Sequence, residues 1–141
     1  MYLKNGTKVC VLLVERNAEI HELFSELFTI LGCDVVVAKD GNEALAAVDL
    51  RPAHIIFSSL ILGDVNGFEL CRQLRTKPFL AYTVFVALTG YTEPGIVQRA
   101  RDAGFDFYIL KPANLSALLN PLRQIAGLED AALIDRYLSR I

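Results

Sequence analysis

His54 to Leu70 reads HIIFSSLILGDVNGFEL, and the rest of the chain is arranged around it. Ile55-Ile56-Phe57 is a β-branched and aromatic run. It passes through Ser58 and Ser59 into a second apolar run, Leu60-Ile61-Leu62. Turn formers follow, Gly63-Asp64-Val65-Asn66-Gly67, and then a helix carrying Phe68, Leu70, Cys71 and Leu74. A short apolar run bounded by turn signals is the pattern of a strand buried on both faces. Open α/β sheets place their sites in loops leaving the carboxyl ends of such strands. Ser59, the last residue before the loop, therefore decides much of the function.

Outward from this stretch the pattern repeats. Lys8 to Val14 (KVCVLLV) reads as a first strand, and Asn17 can cap a helix whose apolar residues Ile20, Leu23, Phe24, Leu27, Phe28 and Leu31 recur at three and four. Gly32 stops that helix, and Asp34 to Ala38 (DVVVA) is a second strand. The next helix carries Ala44, Leu45 and Val48 and ends before Pro52. Thr83 to Leu88 is a fourth strand, followed by a helix from about Glu93 to Ala103. Phe105 to Leu110 is a fifth strand, closed by Lys111-Pro112, with a helix from about Asn114 to Ala126. Strands alternating with helices through short links require right-handed crossovers and a parallel sheet covered on both faces, an α/β fold.

The tail, 128–141, departs from this rhythm. Asp130 can cap it, and Leu133, Ile134, Tyr137, Leu138 and Ile141 form an apolar helical stripe. The expected organisation is a domain over 1–127 and an amphipathic helix over 128–141. That helix buries its stripe on its own domain, on a second copy in a homodimer, or on a following domain.

The 141 residues suffice for one domain with a real core. With 53% hydrophobic and 21% charged residues the chain is globular, not disordered. A net charge of -2 gives no pull toward nucleic acid. No apolar run approaches the roughly 20 residues of a membrane span, and Met1 to Gly6 lacks a signal-peptide pattern. Cys10, Cys33 and Cys71 share no metal-ligand spacing and sit in apolar segments, so they read as core residues of a cytoplasmic protein. His21 and His54 have no partner at ligand spacing. The glycines form neither a dinucleotide nor a phosphate loop.

Four segments in order carry a resemblance: VLLVERN at Val11 to Asn17, SLILGDVNGFEL at Ser59 to Leu70, VALTGY at Val86 to Tyr91, and AGFDFYILKP at Ala103 to Pro112. Together they resemble the receiver domain of bacterial two-component response regulators, over about residues 8 to 126. The resemblance implies a flavodoxin-like (βα)5 three-layer sandwich with a parallel five-stranded sheet in order 2-1-3-4-5, to which the tail adds an extra helix. It also implies a role in phosphorelay signalling through protein partners. Receivers carry two acidic Mg²⁺ ligands after strand one and a phosphoacceptor aspartate after strand three. A hydroxyl follows strand four, a switch aromatic lies on strand five, and a lysine and a cis proline come after it. By position these fall on Glu15 and Arg16, Ser59, Thr89, Tyr108, Lys111 and Pro112. The metal-binding carbonyl would be that of Ile61.

Two of these positions depart from the pattern, and both carry chemistry. Phosphoryl transfer from histidine needs a carboxylate nucleophile and a divalent cation. Ser59 offers a hydroxyl with no His base in view, and Arg16 places a permanent cation where a metal ligand belongs. Three carboxylates and one lysine give a receiver site a charge of -2. Here Glu15 contributes -1, Arg16 and Lys111 +1 each, and Ser59 nothing, for a sum of +1. Unit charges about 4 Å apart interact by roughly 4 kcal/mol at an effective dielectric near 20. The expectations are no Mg²⁺, no other cofactor, no aspartyl phosphate and no enzymatic activity, with function through protein contacts. Three readings of the polar residues stay open. They form a structural rim with Glu15 and Lys111 paired and Ser59 capping a loop. They form a small-anion or small-ligand site, or even an enzyme, built on the cationic pocket. Or Ser59 is the target of a separate Ser/Thr kinase.

Overall fold

The computed structural model describes residues 1–90, 92–111 and 115–139, apart from the side chains of Leu115 and Tyr137. Five strands alternate with helices: β1 (Cys10–Val14), α1 (Ala18–Ile30), β2 (Asp34–Ala38), α2 (Gly41–Leu50), β3 (Ile55–Ser59), α3 (Gly67–Arg75), β4 (Val84–Thr89), α4 (Ile96–Ala103), β5 (Phe107–Leu110), α5 (Leu115–Arg123) and α6 (Leu128–Leu138). A single 3₁₀ turn, Pro78–Leu80, leads into β4. The strands are parallel, in the order β2-β1-β3-β4-β5, as the resemblance implied. The crossovers follow from that order.

Strand side chains alternate, so the sheet feeds two cores. Leu12, Val14, Ile56, Phe85 and Ala87 face α2, α3 and α4. Val11, Leu13, Ile55, Phe57, Val86 and Leu88 face α1, α5 and α6. β3 is buried along its whole length, which is why its sequence is apolar without a polar face. Three helices start at side-chain caps: Asn17 accepts from Glu19 N and Ile20 N, Asp40 from Glu43 N, and Asn66 from Glu69 N.

Several boundaries differ from the sequence reading. β3 ends at Ser59, and the second apolar run lies in the loop, where Leu60 and Leu62 are buried and Ile61 is 43% exposed. β4 starts one residue late because the Thr83 amide donates to Leu80 O in the preceding 3₁₀ turn at 3.1 Å. β5 starts at Phe107, not Phe105, because the Asp106 carboxylate occupies the first rung and accepts Phe85 N at 2.9 Å. α4 begins at Ile96 rather than near Glu93.

The tail differs in one residue's role. Asp130 does not cap α6 but lies within its first turn, where Oδ2 accepts the Tyr2 amide at 2.8 Å. Gly127 N donates to Tyr2 O, and Leu3 bridges to Ala126. The amino-terminal segment thus clasps the start of α6. Further along, Ile134 is fully buried in the domain core and Leu138 packs against it, while Leu128 and Leu133 remain exposed. α6 therefore buries part of its stripe on its own domain. Ile141 lies outside the described residues.

Candidate functional site

The carboxyl ends of β1, β3, β4 and β5 converge on a cavity of about 340 Å³. Its lining includes Glu15, Arg16, Ser59, Thr89 and Lys111, so the fold gathers five of the seven sequence-predicted site residues there. Tyr108 lies behind it on β5, hydrogen-bonded to Thr89. Pro112 lies outside the described residues.

Each side chain is placed by its backbone. Glu15 N donates to Ala38 O, which carries the β1–β2 ladder one residue past the strand end. The Glu15 side chain is only 3% exposed. A buried carboxylate needs full hydrogen bonding to avoid a desolvation penalty. It finds this on both oxygens: Oε1 accepts Asn17 N at 3.1 Å, and Oε2 accepts Lys111 Nζ at 2.6 Å. Lys111 is anchored in turn by its amide, which donates to Thr89 O at 2.7 Å. The expected pairing of Glu15 with Lys111 is present, with one correction. β1 and β5 are not neighbours, since β3 and β4 lie between them, and the long lysine stem spans that width.

Ser59 behaves as a loop cap. Its Oγ donates to Ile61 O at 3.3 Å and accepts Ile61 N at 3.4 Å and Lys111 Nζ at 3.4 Å. The lysine beside it is salt-bridged, so it is a donor and not a base. His54 is at the opposite end of β3. The Ser59 hydroxyl donates to a backbone carbonyl, and no hydrogen bond among the described residues joins it to a carboxylate or an imidazole. The start of α3 crowds this strand end: a β-carbon on Gly67 would lie 2.4 Å from Ser59 O, so glycine is required there.

Arg16 is exposed at the cavity mouth and has no hydrogen bond or ion pair to any described residue. Its guanidinium extends over Gly63, where a β-carbon would stand 3.1 Å from Nη1. Gly63 also has φ +90°, which favours glycine. Asp64, next in the loop, is turned away: its two oxygens accept Gly41 N and Asn42 N at 3.0 Å each. Those amides hold its carboxyl below the usual range despite desolvation. Among the described lining residues Glu15 alone carries a carboxylate, and no group of three or more His, Cys, Asp or Glu in the described residues could hold a metal ion.

Burial pushes the Tyr108 phenol up, and the Thr89 hydrogen bond works against that. Burial also pushes the thiols of Cys33 and Cys71 up, to about 11 and about 12. All three cysteines are buried and free, which makes them inert core residues. Sequence reasoning missed Asn17 as the amide that steadies Glu15, because its side chain already read as a helix cap. No helix of the described residues is long and apolar enough to cross a membrane.

Comparison with known proteins agrees with this geometry. The family model for the response regulator receiver domain matches residues 11–123. The transcriptional regulatory protein TrcR of Mycobacterium tuberculosis is 30% identical over 121 residues, which are 84% of this chain and 46% of TrcR. The polar-differentiation response regulator DivK of Brucella anthropi is 26% identical over 117 residues, covering 83% of this chain and 95% of DivK. The chain thus spans less than half of TrcR and nearly all of DivK. Among solved structures, the Vibrio cholerae chemotaxis protein CheY4 superposes with a TM-score of 0.79 at 28% identity, covering 84% of this chain and 99% of CheY4. A CheY-like receiver domain from Methylobacillus flagellatus gives 0.72 at 31% identity, covering 84% and 98%. Sheet order, the convergence of strand ends and the family match over most of the chain place this protein in the response regulator receiver domain family.

Proposed function

We propose that this receiver domain is a degenerate signalling module of the two-component class. It takes no phosphoryl group on an aspartate, holds no Mg²⁺, catalyses no reaction and acts by contact with a protein partner. One observation carries this reading: the cavity's single described carboxylate, Glu15, has both oxygens engaged, one of them by Lys111 at 2.6 Å. A divalent cation would have to displace that ammonium, and Mg²⁺ seeks several hard oxygens at near-octahedral positions. Arg16 adds a second positive charge at the mouth. Ser59 supplies neither the carboxylate nucleophile nor a metal ligand of the right charge. The donor set does not fit the ion that receivers use.

Partner contact falls on the surface of α4, β5 and α5, the one the family uses. Val97 on α4 and Leu110 on β5 are 46% and 45% exposed, and Arg101 lines a shallow hollow with Val97. The charge balance of -2 argues against nucleic acid as the ligand of this domain. Free buried thiols fit a cytoplasmic setting.

The test is Arg16→Asp combined with Ser59→Asp. The pair restores two carboxylates to the pocket and is expected to bind Mg²⁺ and to gain the mass of one phosphoryl group from a small phosphodonor. Each single change falls short, and the wild type gains nothing. Phosphoryl labelling of the wild type on a carboxylate would overturn the reading.

A further inference from the structure

We infer that the cavity at the strand ends binds a phosphate group reversibly and without metal, and that Arg16 is the residue that recognises it. The inference rests on the reading above that no aspartyl phosphate forms and no Mg²⁺ occupies the site. Its physical basis is how the donors divide. Glu15 and Lys111 neutralise each other at 2.6 Å, in a pair whose side chains are 3% and 20% exposed. That leaves the Arg16 charge, on the cavity wall, without a counter-charge among the described residues. An arginine carries five N–H donors in a fixed fork matched to phosphate, and here none of them meets an acceptor among the described residues. Lys111 has three N–H bonds, of which Glu15 and Ser59 take two. The Ser59 hydroxyl, held only by contacts of 3.3–3.4 Å, can turn toward a better acceptor. The lining thus offers cationic and hydroxyl donors on several sides, which suits a tetrahedral anion better than a planar carboxylate.

Size narrows the class. The cavity of about 340 Å³ exceeds a bare phosphate, given that one water occupies about 30 Å³. Ile20 and Ile61 flank the polar centre. A phosphomonoester with a small organic group fills this space, with the phosphate on Arg16 and the substituent against the isoleucines. Binding is charge-assisted hydrogen bonding only; no bond forms or breaks.

The experiment is an amide NMR titration of the full chain in chelator-treated buffer at fixed ionic strength. Inorganic phosphate and methyl phosphate are the probes, and acetate is the planar control. Both phosphates are expected to give saturable shifts centred on Ser59, Thr89, Gly90 and Lys111, and acetate none. A tighter fit of methyl phosphate assigns an ester as the natural source, and equal affinity assigns free phosphate. Arg16→Gln should weaken both by about tenfold or more, and Arg16→Lys should recover part of the loss. Arg16 is exposed and has no partner among the described residues, so these variants keep the fold, and their amide dispersion confirms it. The absence of saturable shifts, or equal binding by Arg16→Gln, overturns the inference. Mass spectrometry after incubation with Mg²⁺ and a phosphodonor tests the underlying reading separately, because only covalent labelling survives acid quenching.

Discussion

The two ends of the sheet handle charge differently. At the amino ends three described cations, Lys8, Arg51 and Arg75, are matched by carboxylates. Lys8 and Arg51 flank Asp34 at 3.2 and 2.6 Å. Arg75 donates to Gly104 O, Thr83 O and Asp106 at 2.6–3.0 Å and stacks on Phe85 with 4.0 Å to the ring centroid. His54 Nδ1 accepts the Cys10 amide at 2.9 Å. At the carboxyl ends one buried pair, Glu15 and Lys111, is complete, while Arg16 stands over the cavity with no described partner. The first end stabilises the fold, and the second leaves donors waiting for a ligand. What sets Arg16 apart from other exposed cations is its place on the wall of a cavity that also holds Ser59, Thr89 and Lys111.

The contrast can be broken most forcefully at Lys111. Lys111→Ala leaves Glu15 buried and unpaired, and denaturant unfolding should show a loss of about 3 kcal/mol. Adding Glu15→Gln to that variant should restore most of it, as expected for one coupled pair. Arg75→Ala removes the donor that serves the Gly104 and Thr83 carbonyls and the Asp106 carboxylate at the opposite end, and a loss of about 2 kcal/mol is expected. It should leave the cavity amides in place in NMR spectra. If it perturbs them, the two ends are not independent.

His54→Ala should cost about 1 kcal/mol by leaving the Cys10 amide without its acceptor. Its larger signature is in pH. Burial, helped by Arg51, lowers the His54 imidazole below its ordinary value. The unfolded chain therefore binds the proton more readily than the folded one. The wild type should hold full stability above the unfolded value near 6.5 and lose it as pH falls below that. His54→Ala should flatten this slope in thermal melts across that range. The smallest effect is expected for Asp34→Asn, since its carboxylate is solvent-exposed and screened. That loss should shrink further with added salt.

Most of the fold was readable because burial on both faces writes itself into sequence. Ile55-Ile56-Phe57 and Val11 to Val14 are apolar without interruption, and Asn17, Asp40 and Asn66 mark helix starts in the expected places. The family resemblance supplied the strand order, which periodicity alone does not encode. Side chains acting across long sequence distances were hidden. Asp130 reads as a helix cap but serves the Tyr2 amide, 128 residues away. Asp106 reads as part of a strand but closes its first rung. The pocket residues were legible one by one. What no local pattern encodes is that Lys111 satisfies Glu15 across two intervening strands, which leaves Arg16 without a described partner.

The central claim is that the pocket's charge arrangement excludes a divalent cation, and a Mg²⁺ titration of the wild type followed by amide NMR tests it most directly. With no phosphodonor present and ionic strength held constant, the amides of Glu15, Ser59, Ile61 and Lys111 should not move saturably. A saturable shift centred on those four residues would contradict the account.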